Sequence, residues 1–250
     1  MNGDKGLTVV SQLTAMGCRI GCSDSGEIVH VDVGPRDAHP ELFEVLSGIS
    51  TIVSLTLVLV AVDLLQLQKI KKLTRLRELR CGREWFTDEV LTDICSFPEL
   101  SLLSVPRSAL TSRAIPRISE FSELSWLDLS NTTLNGARIS RLENLHNLTG
   151  LLLSEAKGAA AWQSDLGSLK HLQEVWVGGA EFDDRVVEAL EGHQQLRYVS
   201  LSGSKISDCS LQRMGRISGL REVDLSRTQI GDEGLGALAG HSALEKVSLS

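Results

Sequence analysis

The sequence predicts an α/β solenoid, a curved right-handed superhelix with a parallel β-sheet on its concave face and helices on its convex face. Three observations carry that expectation. Apolar residues recur every 24 positions with no insertion, each period opens with a strand-like alternation, and each closes with apolar pairs spaced three apart.

The first 27 residues do not fit the period. "GLTVVSQLTAMG" reads as a helix ending at Gly17, and "CRIGCSDSGEIVHVDV" as two strands around a turn at Ser23–Gly26. A stack of repeats needs its first core layer covered, so 1–27 is expected to be an N-terminal cap. The remainder, 28–250, divides into nine full 24-residue units and a partial tenth.

Stepping back and forth by 24 from Leu220 lands on Ile28, Ile52, Leu76, Leu100, Leu124, Leu148, Leu172, Leu196 and Leu244. Three residues further lie Leu127, Leu151, Val175, Val199 and Val223, and two beyond those Leu129, Leu153, Val177, Leu201 and Leu225. A small residue follows (Ser108, Thr132, Ala156, Ala180, Ser204, Thr228), then an apolar one such as Phe86, Leu110, Leu134, Phe182, Ile206 or Ile230. This LxxLxL grammar resembles the leucine-rich repeat family, with Ser, Thr or Ala where the usual pattern has Asn or Cys, and the "LSxTxIxDxGLxxL" form looks like the family's bacterial variety. The resemblance covers 28–250 and implies stacked strand–turn–helix units with one continuous core. The substitution at the small position puts the family's buried Asn ladder in doubt, not the fold.

In the second half of each unit, pairs such as Phe43 and Leu46, Ile115 and Ile118, Val187 and Leu190, and Leu211 and Met214 fall on one helical face. Asp88, Asp184, Asp208 and Asp232 each precede such a pair by three residues and are expected to cap their helices. The unit opening at Leu148 is irregular: Gly158 stands where neighbours carry Ile or Leu, and "AAAWQSDL" follows. Small residues leave volume empty, so Trp162 is expected to swing inward and fill it. After "VSLS" the sequence offers no closing cap; either the chain is a fragment of a longer protein, the preferred expectation, or a partner subunit covers the end.

Composition narrows the function. A net charge of −7 argues against a nucleic-acid backbone as partner, because that interaction needs clustered Lys and Arg. The five cysteines form no CxxC and no regular ladder; they read as reduced thiols, which places the chain in the cytoplasm. Cys18 and Cys22 are four apart and would share a strand face, leaving a redox or metal pair as a minor possibility. The N-terminus lacks the pattern of a signal peptide, and the greasiest run, 52–65, is too short to span a bilayer and is interrupted by Asp63. No HExxH, GxSxG, P-loop or GxGxxG is present, so no catalytic residue, cofactor or metal site is assigned and the chain is expected not to be an enzyme. His193 and His241 occupy a repeat position that is Phe or Leu elsewhere and read as half-buried substitutes.

Binding is the function the pattern leaves room for. In LxxLxL the Leu side chains point inward and the intervening residues face the concave side. Those positions hold Trp126, Trp176 and Tyr198, three of the ten aromatic residues (Phe 5, Trp 4, Tyr 1), together with Leu102 and Leu152. Asp128, Glu174, Glu222 and Asp224 surround them with negative charge. Aromatic anchors with few rotamers suit a protein or peptide partner, here one with an apolar centre and basic flanks. The expected function is therefore a non-catalytic protein–protein interaction module, monomeric and not membrane-inserted. The alternatives are a structural or sensing segment of a longer multidomain protein or, as a minor reading, an enzyme with an unrecognised site.

Overall fold

The computed structural model describes residues 3–36, 39–59, 62, 64–94 and 97–249; Asp63 and Cys95 lie outside them. The chain forms two compact units, Met1–Ala109 and Leu110–Ser250.

The first unit begins with helix α1, Gly3–Ala15. It ends at Gly17, whose φ of +76° turns the chain while its N–H donates to the Thr14 carbonyl. Strand β1, Cys18–Cys22, pairs antiparallel with β2, Ile28–Arg36. Strands β3 (Ser54–Leu59), β4 (Glu78–Cys81) and β5 (Leu102–Ser104) then add in parallel, in chain order. Between strands lie α2 (Leu42–Ser47), α3 (Leu64–Leu67) with a 3₁₀ turn over 68–72, and α4 (Asp88–Ile94). The expected shared face for Cys18 and Cys22 is not found. The β1–β2 register shifts between Gly21 and Cys22, which leaves Cys18 buried and Cys22 exposed.

In the second unit the strands are β6 (Trp126–Asp128), β7 (Gly150–Leu152), β8 (Glu174–Trp176), β9 (Tyr198–Ser200), β10 (Glu222–Asp224) and β11 (Lys246–Ser248). Each shares one register with the next: Leu127, Leu151, Val175, Val199, Val223 and Val247 are matched across the row. All but the last of these are buried, as are Leu129, Leu153, Val177, Leu201 and Leu225. At the β11 end Val247 and Leu249 of the same rows are exposed.

The helical segments of this unit are uneven. Those that begin with Asp at the repeat position, α7 (Asp184–Leu190) and α8 (Asp208–Met214), are seven-residue α-helices, and α9 (Asp232–Gly236) is shorter. Where that position holds Ser112, Gly136 or Ala160 there is only α5 (Ala114–Ile118), a 3₁₀ segment over 139–144, and α6 (Ala159–Trp162) running into a 3₁₀ segment over 163–168. A carboxylate in the first turn favours the orphan N–H groups and the dipole, and α5, the 139–144 segment and α6 lack it.

The aspartates do not cap as the sequence suggested. The N-cap of α7 is Asp183, whose carboxylate accepts from the Arg185 N–H, while the N-caps of α8 and α9 are Ser207 and Gly231. Asp184 and Asp208 stand one residue inside and reach into the following repeat. Asp184 accepts from the Ser207 N–H at 2.7 Å and from the Ser207 and Ser210 hydroxyls, and Asp208 from the Gly231 N–H at 2.8 Å. They staple repeat to repeat.

A second device is a left-handed residue two positions after each strand's second inward residue. Asn131, Glu155, Gly179, Gly203 and Arg227 of this unit, and Arg107 of the first, all have positive φ, from 56° to 117°. Four of them donate their N–H to the next repeat: Asn131 to Ser154, Glu155 to Gly178, Gly179 to Ser202 and Gly203 to Ser226. The left-handed residue turns the chain directly after that N–H, and the repeat keeps the turn even where the residue is not glycine. The small position has no Asn ladder. Thr132 and Thr228 donate their hydroxyls to the carbonyls three residues back, Leu129 and Leu225, at 2.5 and 2.6 Å. Ala180 is exposed rather than buried; Gly179, with φ +117°, swings the chain out ahead of it.

Trp162 does turn inward. It is fully buried and meets the Phe182 ring edge-on, with centroids 5.8 Å apart. Gly158 begins α6 in a left-handed conformation, φ +90°, and its N–H and that of Ala159 are accepted by Glu181 of the next repeat. His193 is buried and His241 half-buried; the Nε2 of each meets the carbonyl of the equivalent residue one repeat earlier, Leu169 and Ile217, at 2.9 Å. Burial holds His193 below the ordinary imidazole range, with the Lys170 charge acting in the same direction.

Candidate functional site on the open face of the sheet

Each strand of the second unit is three residues long, and from β6 to β10 its centre is buried and the residue on either side is turned to the face that the core does not occupy. The register makes two rows. One runs Trp126, Gly150, Glu174, Tyr198, Glu222, Lys246; the other runs Asp128, Leu152, Trp176, Ser200, Asp224, Ser248.

The aromatic residues form one continuous contact. Trp126 and Trp176 lie with ring centroids 5.4 Å apart and planes tilted by 57°, and Trp176 and Tyr198 at 4.7 Å and 39°. All three remain half-exposed, as does Leu152. Trp126 and Trp176 are two strands apart and in different rows, so their contact requires Trp126 to cross β7. Gly150 permits this: a Cβ built there would stand 2.5 Å from Trp126 Cζ3 and 2.8 Å from Cδ2. The glycine is thus a seat for the indole, a role that the sequence reading did not assign. Its signal was available, since a glycine at a free strand position beside Trp126 has no backbone reason to be there.

The acids divide into two kinds. Asp128 and Asp224 each accept the N–H of the residue two positions on, Ser130 and Ser226, at 3.0 Å, so both help to turn the chain at the strand end. Asp224 also accepts from the Ser200 hydroxyl at 3.1 Å. Burial raises the Asp224 pKa, but the hydrogen bonds from Ser226 and Ser200 and the Lys246 charge outweigh it, and the carboxyl sits below its ordinary value. Glu222 faces Lys246 at 3.4 Å in an exposed pair. Burial and the Asp224 charge raise the Tyr198 phenol, so it stays protonated. Tyr198, Glu222, Asp224, Ser226, Lys246 and Ser248 line a cavity of about 250 Å³ next to the aromatic contact. Glu174 is in register between Gly150 and Tyr198.

Leu102 lies on β5, in register with Glu78, and belongs to the first unit. The face residues there are polar and satisfy one another. The Ser54 hydroxyl donates to Glu78 Oε2 at 3.0 Å and Arg80 Nη1 to the same oxygen at 2.6 Å, which holds Glu78 below the carboxylate range, chiefly through Arg80. Among the described residues no group of three or more His, Cys, Asp or Glu is placed to hold a metal ion. Burial pushes the Cys81 thiol well above the reactive range. No helix among the described residues is long and apolar enough to cross a membrane.

The chain is a leucine-rich-repeat solenoid. The family model described as "Leucine Rich repeat" matches residues 220–239. Among solved structures, the ectodomain of the Arabidopsis receptor kinase HAESA, in complex with an N-terminally extended IDA peptide hormone, aligns with a TM-score of 0.61 at 15% identity over 98% of this chain and 49% of that one. The internalin inlF of Listeria monocytogenes aligns at TM-score 0.56 and 18% identity over 82% of this chain and 56% of its own. The internalin inlC2 of the same species gives 0.55 and 20%, over 84% and 93%. At these identities the likeness is one of fold, and the chain spans little more than half of the first of these internalins. No curated protein matches the chain in sequence.

Proposed function

We propose that this protein is a non-catalytic interaction module that binds a protein or peptide on the open face of its second unit, with Trp126, Trp176 and Tyr198 as the anchor. The observation that carries the reading is the aromatic contact itself. Three rings touch one another, stay half-exposed, and occupy positions that the repeat leaves free. The core does not need them: Leu127, Val175 and Val199 seal the layer beneath. Stacked Trp and Tyr offer large apolar area at low entropic cost, which is the composition of interface hot spots. The HAESA ectodomain, of the same fold, is known in complex with a peptide hormone, and that supports the class of ligand.

The experiment is affinity capture by the intact chain in parallel with a Trp126→Ala, Trp176→Ala variant, followed by titration of the purified captured partner against both. The reading expects binding that the double variant lacks, with thermal midpoints within a few degrees of each other. Equal binding by both proteins refutes it.

A further inference from the structure

We propose that the cavity beside Tyr198 receives an arginine side chain of the bound segment, two residues along an extended chain from the apolar side chain that covers Trp176. This rests on the peptide-binding reading above and specifies its chemistry.

Tyr198 lines the cavity together with two acids, Glu222 and Asp224, and one cation, Lys246, so the lining carries a net negative charge. Asp224 is partly buried and accepts three hydrogen bonds, from the Ser226 N–H, the Ser226 side chain and the Ser200 hydroxyl. Two carboxylate oxygens offer about four acceptor sites, so about one is left on Asp224, and the exposed Glu222 carboxylate of the same cavity supplies the acceptor for the second N–H of a guanidinium. The Lys246–Glu222 pair is long, at 3.4 Å, and exposed, so it is readily exchanged. A planar guanidinium can lie on the Tyr198 face while its edge meets a carboxylate; an ammonium matches only the second contact.

The spacing fixes the register. Trp176 and Tyr198 stack between β8 and β9, and Glu222 and Asp224 stand on β10. At about 4.8 Å per strand the two subsites are about 7 Å apart. An extended chain laid across the strands rises about 3.3 Å per residue, so side chains two apart point the same way at about that distance. The whole chain's charge of −7 favours the same sign of partner.

The test is selection of a displayed library of short random peptides on the intact chain. Recovered peptides, and their versions with each Arg replaced by Gln, are then titrated by tryptophan fluorescence. Arginine two positions from an apolar residue is expected among them, with the Gln versions weaker by about tenfold or more. Glu222→Gln, alone or with Asp224→Asn, should erase that difference. Lys246→Gln should tighten arginine peptides severalfold, a gain that structural damage would not produce. Recovered peptides without this arginine, or affinities that none of these variants moves, overturn the cavity while the aromatic anchor stands. No recovered peptide, or peptides bound equally by the Trp126→Ala, Trp176→Ala variant, overturns the peptide-binding reading and the cavity with it.

Discussion

Replacing Gly150 with alanine puts a methyl group where the Trp126 ring lies. The new Cβ would sit 2.5 Å from Cζ3 and 2.8 Å from Cδ2, well inside van der Waals contact, so the indole must leave β7. Leaving breaks its contact with Trp176, an aromatic pair whose contribution beyond burial is about 0.5–1.5 kcal/mol. Alanine in a strand recovers about 0.5–1 kcal/mol of the conformational entropy that glycine loses. The two oppose, so the net change should lie within about 1 kcal/mol of zero, a shift of at most about 2–4 °C in the thermal midpoint. The environment of the rings, in contrast, should change: the near-ultraviolet circular dichroism of the coupled indoles should weaken and partner affinity should fall. Gly178→Ala is the control. Its Cβ meets the Ser202 carbonyl of the next repeat, which is backbone and cannot swing away, so destabilisation should be clear there with the aromatic signal kept. A Gly150→Ala protein with an unaltered aromatic spectrum and unaltered binding would refute the seat.

Three further outcomes follow from the packing. Trp162→Ala empties the largest fully buried side chain and should lower unfolding free energy by about 3–5 kcal/mol, read from denaturant midpoints. His193 is held below its ordinary pKa by burial, so in acid the unfolded chain binds a proton that the folded chain does not. Stability should therefore be full above about pH 6.5 and fall as the pH drops toward the folded pKa; His193→Leu, the residue found at Leu145 and Leu169, should flatten that slope in urea titrations. Glu155→Gly relieves a non-glycine residue at φ 58° and should raise stability by about 0.5–1 kcal/mol, measured in the same way.

How far the sequence could be read depended on which interactions repeat. The inward rows from Leu124 to Leu225 were legible because a 24-residue step leaves an unbroken apolar record, and every one of those side chains is buried. Trp162 was legible from the volume missing around Gly158. The capping aspartates were placed one residue off, because Asp184 serves the next repeat, a partner 23 to 26 residues away that local capping rules do not consider. The left-handed position was missed because Arg107, Asn131, Glu155 and Arg227 share no side-chain chemistry; only the positive φ is common to them. Within the face, the aromatic residues could be chosen from the free positions of the repeat. Their mutual contact through Gly150, and the use of Asp128 and Asp224 at the strand ends, needed side-chain geometry. Leu102 shared the pattern of these positions but stands in the other unit, on a face whose neighbours are ion-paired.

The measurement that tests the central claim most directly is oxidative footprinting of the four tryptophans with and without bound partner. Trp162 is buried and serves as the internal reference, and Trp85, half-exposed in the first unit, reports on surface elsewhere. The account predicts that partner binding protects Trp126 and Trp176 together and leaves Trp85 unchanged. Protection of Trp85 with Trp126 and Trp176 still reactive would contradict it.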